Sequence, residues 1–141
     1  MGPVTLEGLR KAALLLVDSA PIICTLEDHP RFAARFRAVF EAYETGSVRF
    51  AVSPVTIAEA PTGPLKSGDE ALARRYRALL ESWRVVPFDA DIAEGAARLR
   101  AAYGLKLPDA VQAASALEIN ADALVTHERD FSRLSGLRII A

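Results

Sequence analysis

Residues 12–19 read AALLLVDS, an unbroken apolar run closed by an acid and a hydroxyl. A run that short is a strand buried on both faces, because a half-exposed strand alternates and a helix needs more residues. It belongs at the centre of a sheet, with Asp18 leaving its carboxyl end. Working outward, residues 31–44 set Phe32, Phe36, Val39, Phe40 and Tyr43 at three- and four-residue spacing, an amphipathic helix that turns Arg35, Arg37 and Glu41 away and stops at Gly46. Residues 48–52 make a second strand, after which Ser53 caps a short helix opened by Pro54 and halted by Pro61. Residues 61–69, PTGPLKSGD, gather prolines, glycines and polar groups without periodicity and read as a mobile surface loop.

Residues 69–83 carry Leu72, Tyr76, Leu79, Leu80 and Trp83 on one helical face, and RVVPF at 84–88 is a strand that Pro87 confines to the sheet edge. A helix over 89–103 follows, striped by Ile92, Ala96, Leu99 and Tyr103 and ended by Gly104. Pro108 opens an alanine-rich helix running to Asn120, and strands at 121–126 and 137–140 enclose a turn at Gly136. Strands alternating with helices give an α/β fold, a central five-stranded parallel sheet covered on both faces. Its ligands bind beyond the carboxyl ends of the strands.

The 141 residues make a single domain without internal repeats, and 51% hydrophobic content excludes a disordered chain. With 17 basic and 18 acidic residues the net charge is −1, so any nucleic-acid site must be local rather than a property of the whole surface. Cys24, the single cysteine, rules out an internal disulfide and a Cys-based zinc site and reads as core filler. No apolar run reaches membrane-spanning length, and Glu7 interrupts what would be a signal peptide's apolar segment, so a soluble cytoplasmic protein is expected.

Within this apolar chain stand lone acids. Asp18 is the only charge between Ala12 and Leu26, Glu59 between Phe50 and Leu65, and Asp109 between Leu107 and Leu117. Singly, each has an ordinary role: Asp18 as a strand-end cap, Asp109 in a first helical turn favoured by the macrodipole, Glu59 on a solvated helix face. Glu59 is the hardest to explain so, because at the sixth position after Ser53 it cannot close a capping box. Jointly, all three can face one strand-end crevice, where Glu128 and Asp130 of THERDF join them. Buried carboxylates need a compensating charge, and an all-oxygen anionic pocket suits Mg²⁺ or Mn²⁺ rather than zinc. Ions so held activate water and stabilise a leaving oxygen, which makes phosphodiester hydrolysis the implied reaction.

The segments LLLVDSAPI, VSPVTIAEAPTGPL, LKLPDAVQAASAL and ALVTHERDFSRLSGLRII resemble the successive motifs of PIN-domain ribonucleases, and in size and order are similar to the VapC-type toxins of toxin–antitoxin pairs. The resemblance spans residues 12–140. It implies a PIN-like three-layer fold, Mg²⁺ or Mn²⁺ dependence and endonucleolytic cleavage of RNA, with Asp18, Glu59 and Asp109 as metal-coordinating catalytic acids. Asp130 and Glu128 rank after them. In the last motif Thr126 and Asp130 match the family pattern, while His127 stands for the usual Asn and Glu128 for the usual first Asp. Ser19 takes the place of the family's hydroxyl residue, either contacting a ligand or, the preferred reading, capping the helix. Pro21 is unusual within a first helix but tolerable near its start. Residues 1–11 precede the first strand as a native arm or an artificial extension. The family also implies a homodimer and a small antitoxin whose tail enters the acidic groove.

Arg129 and Arg133, flanking the acidic loop, are the first choices for RNA phosphate contacts, with Arg31, Arg35 and Arg37 next. His127 could transfer protons, though metal-activated water does not require it. Other α/β enzymes fail on motifs. There is no G-x-G-x-x-G or P-loop, no acidic pair after the first strand as in a receiver domain, and Ala20 stands where a haloacid-dehalogenase-like phosphatase needs its second Asp. The competing reading is a PIN-like module that binds RNA or protein without cutting, toward which the Glu128 substitution is the one departure.

Overall fold

In the computed structural model, which describes residues 2–141, the opening run is β1 (Ala13–Val17), buried along its whole length. Then come α1 (Ser19–Leu26), α2 (Ala33–Glu44), β2 (Val48–Val52), α3 (Pro54–Glu59), α4 (Thr62–Lys66) and α5 (Glu70–Glu81). The chain continues through β3 (Arg84–Val85), α6 (Ala90–Tyr103), α7 (Leu107–Glu118), β4 (Ala123–Val125), a 3₁₀ turn (Arg129–Arg133) and β5 (Ile139–Ile140). The sheet order is β3-β2-β1-β4-β5, and every pairing is parallel. Its helices pack on both faces, the three-layer α/β arrangement that the alternation of elements predicts.

β1 shows why its sequence is apolar throughout. Leu15 and Val17 point to the face packed by Ile22 of α1, Phe36 and Val39 of α2 and Leu80 of α5. Leu14 and Leu16 point to the opposite face, among Ile92 and Ala96 of α6 and Ala110, Val111 and Ala114 of α7. Fully burying a side chain such as Leu15, Phe36 or Phe131 is worth about 1.5–3 kcal/mol, so the two half-cores hold the sheet between them. Edge strand β3 is only Arg84–Val85, consistent with Pro87 ending the ladder. Among the described residues no helix is long and apolar enough to cross a membrane.

The structure corrects four readings. Residues 61–69 are not a loop throughout: Thr62–Lys66 is helical and Pro64 is buried. The prolines are compatible because Pro61 and Pro64 fall before and within the first turn, where an N–H has no partner to lose, and Gly68 at φ 78° supplies the left-handed exit. Ser19 does not cap α1, since Asp18 holds that position and its side chain accepts from the Ser19 N–H. Cys24 is half-buried on α1 rather than a core residue. Arg35, expected as a phosphate contact, is engaged within the chain instead, because it donates to the carbonyls of Gly2 and Ala141.

The segment before β1 is packed onto the body. Val4 is buried, Leu6 and Leu9 lie against the core, and the Val4 N–H donates to the Arg35 carbonyl at 3.0 Å. Arg10 pairs with Asp122 at 2.8 Å, while the other oxygen of Asp122 accepts the Leu14 N–H at 2.7 Å. Asp122 thereby supplies a side-chain rung to the start of β1.

Candidate functional site

The chain runs outward from β1 to β2 and β3, then returns to lay β4 on the other side of β1. The carboxyl ends of β1 and β4 are therefore the switch point of the sheet, where helices depart to opposite faces and leave a crevice. Asp18 follows β1 there and Thr126 follows β4.

Asp18 is 8% exposed, and its carboxylate is held on both oxygens. Oδ1 accepts from the Ser19 N–H at 2.8 Å and from Gln112 Nε2 at 3.0 Å, and Oδ2 accepts from Thr126 Oγ1 at 2.8 Å. The Asp18 N–H donates to the Val125 carbonyl at 2.8 Å, which fixes the backbone across the switch point. Burial raises the Asp18 pKa and Glu59 adds to the rise, while Thr126, Ser19 and Gln112 oppose it by donating to the ionised form.

Glu59 ends α3, the helix that Ser53 caps through the Val55 N–H at 3.2 Å with Pro54 in the first turn. Its Oε1 accepts from Ser19 Oγ at 2.7 Å, and that hydroxyl also lies 3.2 Å from Thr56 Oγ1. Ser19 thus bridges the first acid-bearing segment to the second. Asp109 occupies the first turn of α7, half-buried, with Pro108 beside it. Its pKa is pushed up to about 6, first by burial and then by the negative charges of Asp18, Glu128, Asp130 and Glu59. The other four acids singled out from the sequence therefore all act on Asp109 at one end of the sheet.

Glu128 is half-buried and Asp130 exposed, on the loop and 3₁₀ turn after β4. The Glu128 N–H donates to Thr126 Oγ1 at 2.9 Å, so Thr126 links this loop to Asp18. His127 packs against Phe32, centroids 4.4 Å apart, and edge-on to Phe36 at 6.0 Å, so its ring is engaged in aromatic packing. Of the arginines expected to meet phosphate, Arg31, Arg37 and Arg129 are exposed, and Arg133 is exposed with Nη2 on the Tyr103 carbonyl at 2.9 Å.

Three polar members of the network are absent from the sequence reading in this role: Gln112, Thr56 and Ser53, each 1% exposed or less. A signal for Gln112 existed, because it lies three residues after Asp109, on the same helical face, in an otherwise apolar or small stretch. Beside the acids an apolar groove of about 450 Å³ runs between α3 and α7, lined by Val55, Ala58, Phe88, Leu107 and Val111 and bordered by Glu59. Phe88 and Leu107 are each 52% exposed.

The donor set is chemically that of a hard divalent cation: carboxylate oxygens, with no cysteine and with His127 turned to other work. Asp18 and Asp109 are both pushed upward, first by burial and then by neighbouring carboxylates, and a bound cation would offset both causes. Among the described residues no three acidic, His or Cys side chains stand close enough to close a coordination sphere as they are.

A family model described as the PIN domain matches residues 15–137. No curated protein sequence matches the chain. Among solved structures it is similar to a toxin–antitoxin complex from Klebsiella pneumoniae, with 27% identity and a TM-score of 0.71 over 90% of this chain and 96% of that one. It is similar also to VapBC-5 of Mycobacterium tuberculosis, a member of the VapBC family of toxin–antitoxin systems, at 25% identity and TM-score 0.59, covering 91% and 98% of the two chains. VapBC-1 of nontypeable Haemophilus influenzae, at 21% identity and TM-score 0.70 over 89% and 96%, shares the fold.

Proposed function

This chain belongs to the PIN-domain family, and from that premise we propose that it is a divalent-metal-dependent endoribonuclease, the toxin of a toxin–antitoxin pair. The observation that carries the reading is the buried Asp18 carboxylate at the strand ends, tied by Gln112 to the helix of Asp109 and by Thr126 to the loop of Glu128. Ser19 on Glu59 lies beside it, and Asp109 is pushed up to about 6 by burial and by the other four acids. A solvated acid on an ordinary helix would feel no such convergence. Asp18, Glu59 and Asp109 would hold Mg²⁺ or Mn²⁺, with Asp130 and Glu128 completing the anionic rim. When bound, the cation supplies Lewis-acid chemistry, making water a stronger nucleophile and neutralising charge that develops on the phosphodiester.

The rest of the work falls to the chain. Thr126, the Ser19 N–H and Gln112 keep the Asp18 carboxylate in one orientation, and the Ser19 hydroxyl keeps Glu59 turned toward it. Arg129 and Arg133 beside the acidic loop are proposed as phosphate contacts, offsetting the repulsion between an acidic crevice and a polyanion. The exposed apolar groove at Glu59 supports a protein partner, since Phe88 and Leu107 present a contiguous apolar surface to solvent next to the acids. In this reading that partner is an antitoxin, the protein acts as a homodimer, and it works in the cytoplasm.

The test is cleavage of structured and unstructured RNAs by the purified protein in Mg²⁺, Mn²⁺ or EDTA, beside Asp109→Asn. Cutting that requires metal and falls at least about 100-fold in the variant is expected, since losing a group that only orients the ligands already costs about 10–100-fold. A folded protein that binds the metal and RNA yet cuts none would instead be the non-cleaving module.

A further inference from the structure

Gln112 sits in the middle of α7, 1% exposed, among Val111, Ala113 and Ala114. A carboxamide buried in such company is costly unless its polar atoms are matched. Here they are: Oε1 accepts from Ser53 Oγ at 2.7 Å, and Nε2 donates to Asp18 Oδ1 and to Thr56 Oγ1, each at 3.0 Å. These partners lie on the segments that carry the other acids. Asp18 is itself one of them, while Ser53 caps α3 and Thr56 lies within it, one turn before Glu59. Gln112 in turn shares a helical face with Asp109, three residues before it.

On the metal-dependent reading given above, we infer that Gln112 is a positioning residue whose carboxamide fixes the separation of Asp18, Glu59 and Asp109 and so sets the crevice's affinity for a divalent cation. The amide is the right group because it offers a donor to the carboxylate and an acceptor to the Ser53 hydroxyl at once. An apolar side chain leaves Asp18 Oδ1 with the Ser19 N–H alone, takes the acceptor from the Ser53 hydroxyl and leaves Thr56 Oγ1 with Ser19 only. A carboxylate in its place would set like charges against each other. Groups that orient metal-ligating carboxylates from behind typically account for about 10–100-fold in affinity.

The measurement is Mn²⁺ affinity of the metal-stripped protein without RNA, by titration calorimetry, with folding followed by circular dichroism. Gln112→Met is expected to bind Mn²⁺ about 10–100-fold more weakly, and Thr56→Val to lose affinity in the same direction by less. Ser115→Ala, which removes a buried hydroxyl without a partner from the same helix, leaves affinity unchanged. The rise in Tm that Mn²⁺ gives the metal-stripped protein shrinks in Gln112→Met, as it must if the amide sets affinity; a general loosening of the fold would lower Tm with and without Mn²⁺ alike. Folded Gln112→Met with parental affinity overturns the inference, as does a Tm that falls equally with and without Mn²⁺. If Gln112→Met does not fold, parental affinity in Thr56→Val overturns it. A parent protein that binds no Mn²⁺ is a different result, which removes the metal reading and this inference with it.

Discussion

A carboxyl raised by its neighbours is a cost borne by the fold, and Asp109 is where that cost can be read. Its pKa stands near 3.8 in the unfolded chain and about 6 in the metal-free folded protein. Between those values the folded state binds more protons than the unfolded one, so stability falls as pH rises from about 4 to about 6 and levels off above. Burial pushes Asp18 the same way. Asp109→Asn removes the Asp109 part of the slope. In EDTA the variant is expected to melt above the parent at pH 7.5 and to converge with it near pH 4, as thermal unfolding across that range will show. A variant less stable than the parent at pH 7.5 would mean that Asp109 gains more from local contacts than it loses to crowding.

At the scale of elements, what the sequence discloses is what depends on neighbours along the chain. The unbroken run of β1, the Ser53–Pro54 helix start and the Gly104 stop are all local signals, and the structure has each of them. α4 was illegible because Pro, Gly and Ser mark loops on average, and only their positions within a first turn and at a left-handed exit convert them into helix ends. The three acids could be singled out because a lone charge in an apolar stretch is itself a local anomaly. Gln112 meets Ser53, Thr56 and Asp18 only across elements distant in sequence, and no periodicity records that. The same distinction governs two glycines on α6 and its exit. Gly104 has φ 69°, where a Cβ is strained even though nothing lies within 4 Å of it, so Gly104→Ala should cost about 1–2 kcal/mol. At Gly95 an added Cβ would meet only the Ala114 Cβ at 3.5 Å, an ordinary contact between α6 and α7, so Gly95→Ala should stabilise by up to about 1 kcal/mol. Urea denaturation of the two variants gives opposite signs if α6 is bounded as described.

Over the whole molecule the acids belong to segments from both ends of the chain. Asp18 and Glu59 come from the part that builds β1 and β2, whereas Asp109, Glu128 and Asp130 come from α7 and the return past β4. In the metal-free protein these parts are joined at the crevice by hydrogen bonds from Thr126 and Gln112 to Asp18, working against repulsion between carboxylates. A divalent cation shared among Asp18, Glu59 and Asp109 would turn that repulsion into a cross-link between β1, α3 and α7, present in the folded state and absent from the unfolded one. Binding of that kind stabilises by mass action, about 2.7 kcal/mol at a hundredfold excess over Kd, which for a domain of this size is on the order of 10 °C in Tm. Mn²⁺ should therefore raise Tm at pH 7.5, and do so less at pH 5, where protons compete for a site whose Asp109 holds one below about 6. Calorimetric melting at both pH values, repeated with Asp18→Asn, tests the cross-link directly. A rise that is equal at the two pH values, or that survives the substitution, would put the ion elsewhere on the surface and leave the crevice without it.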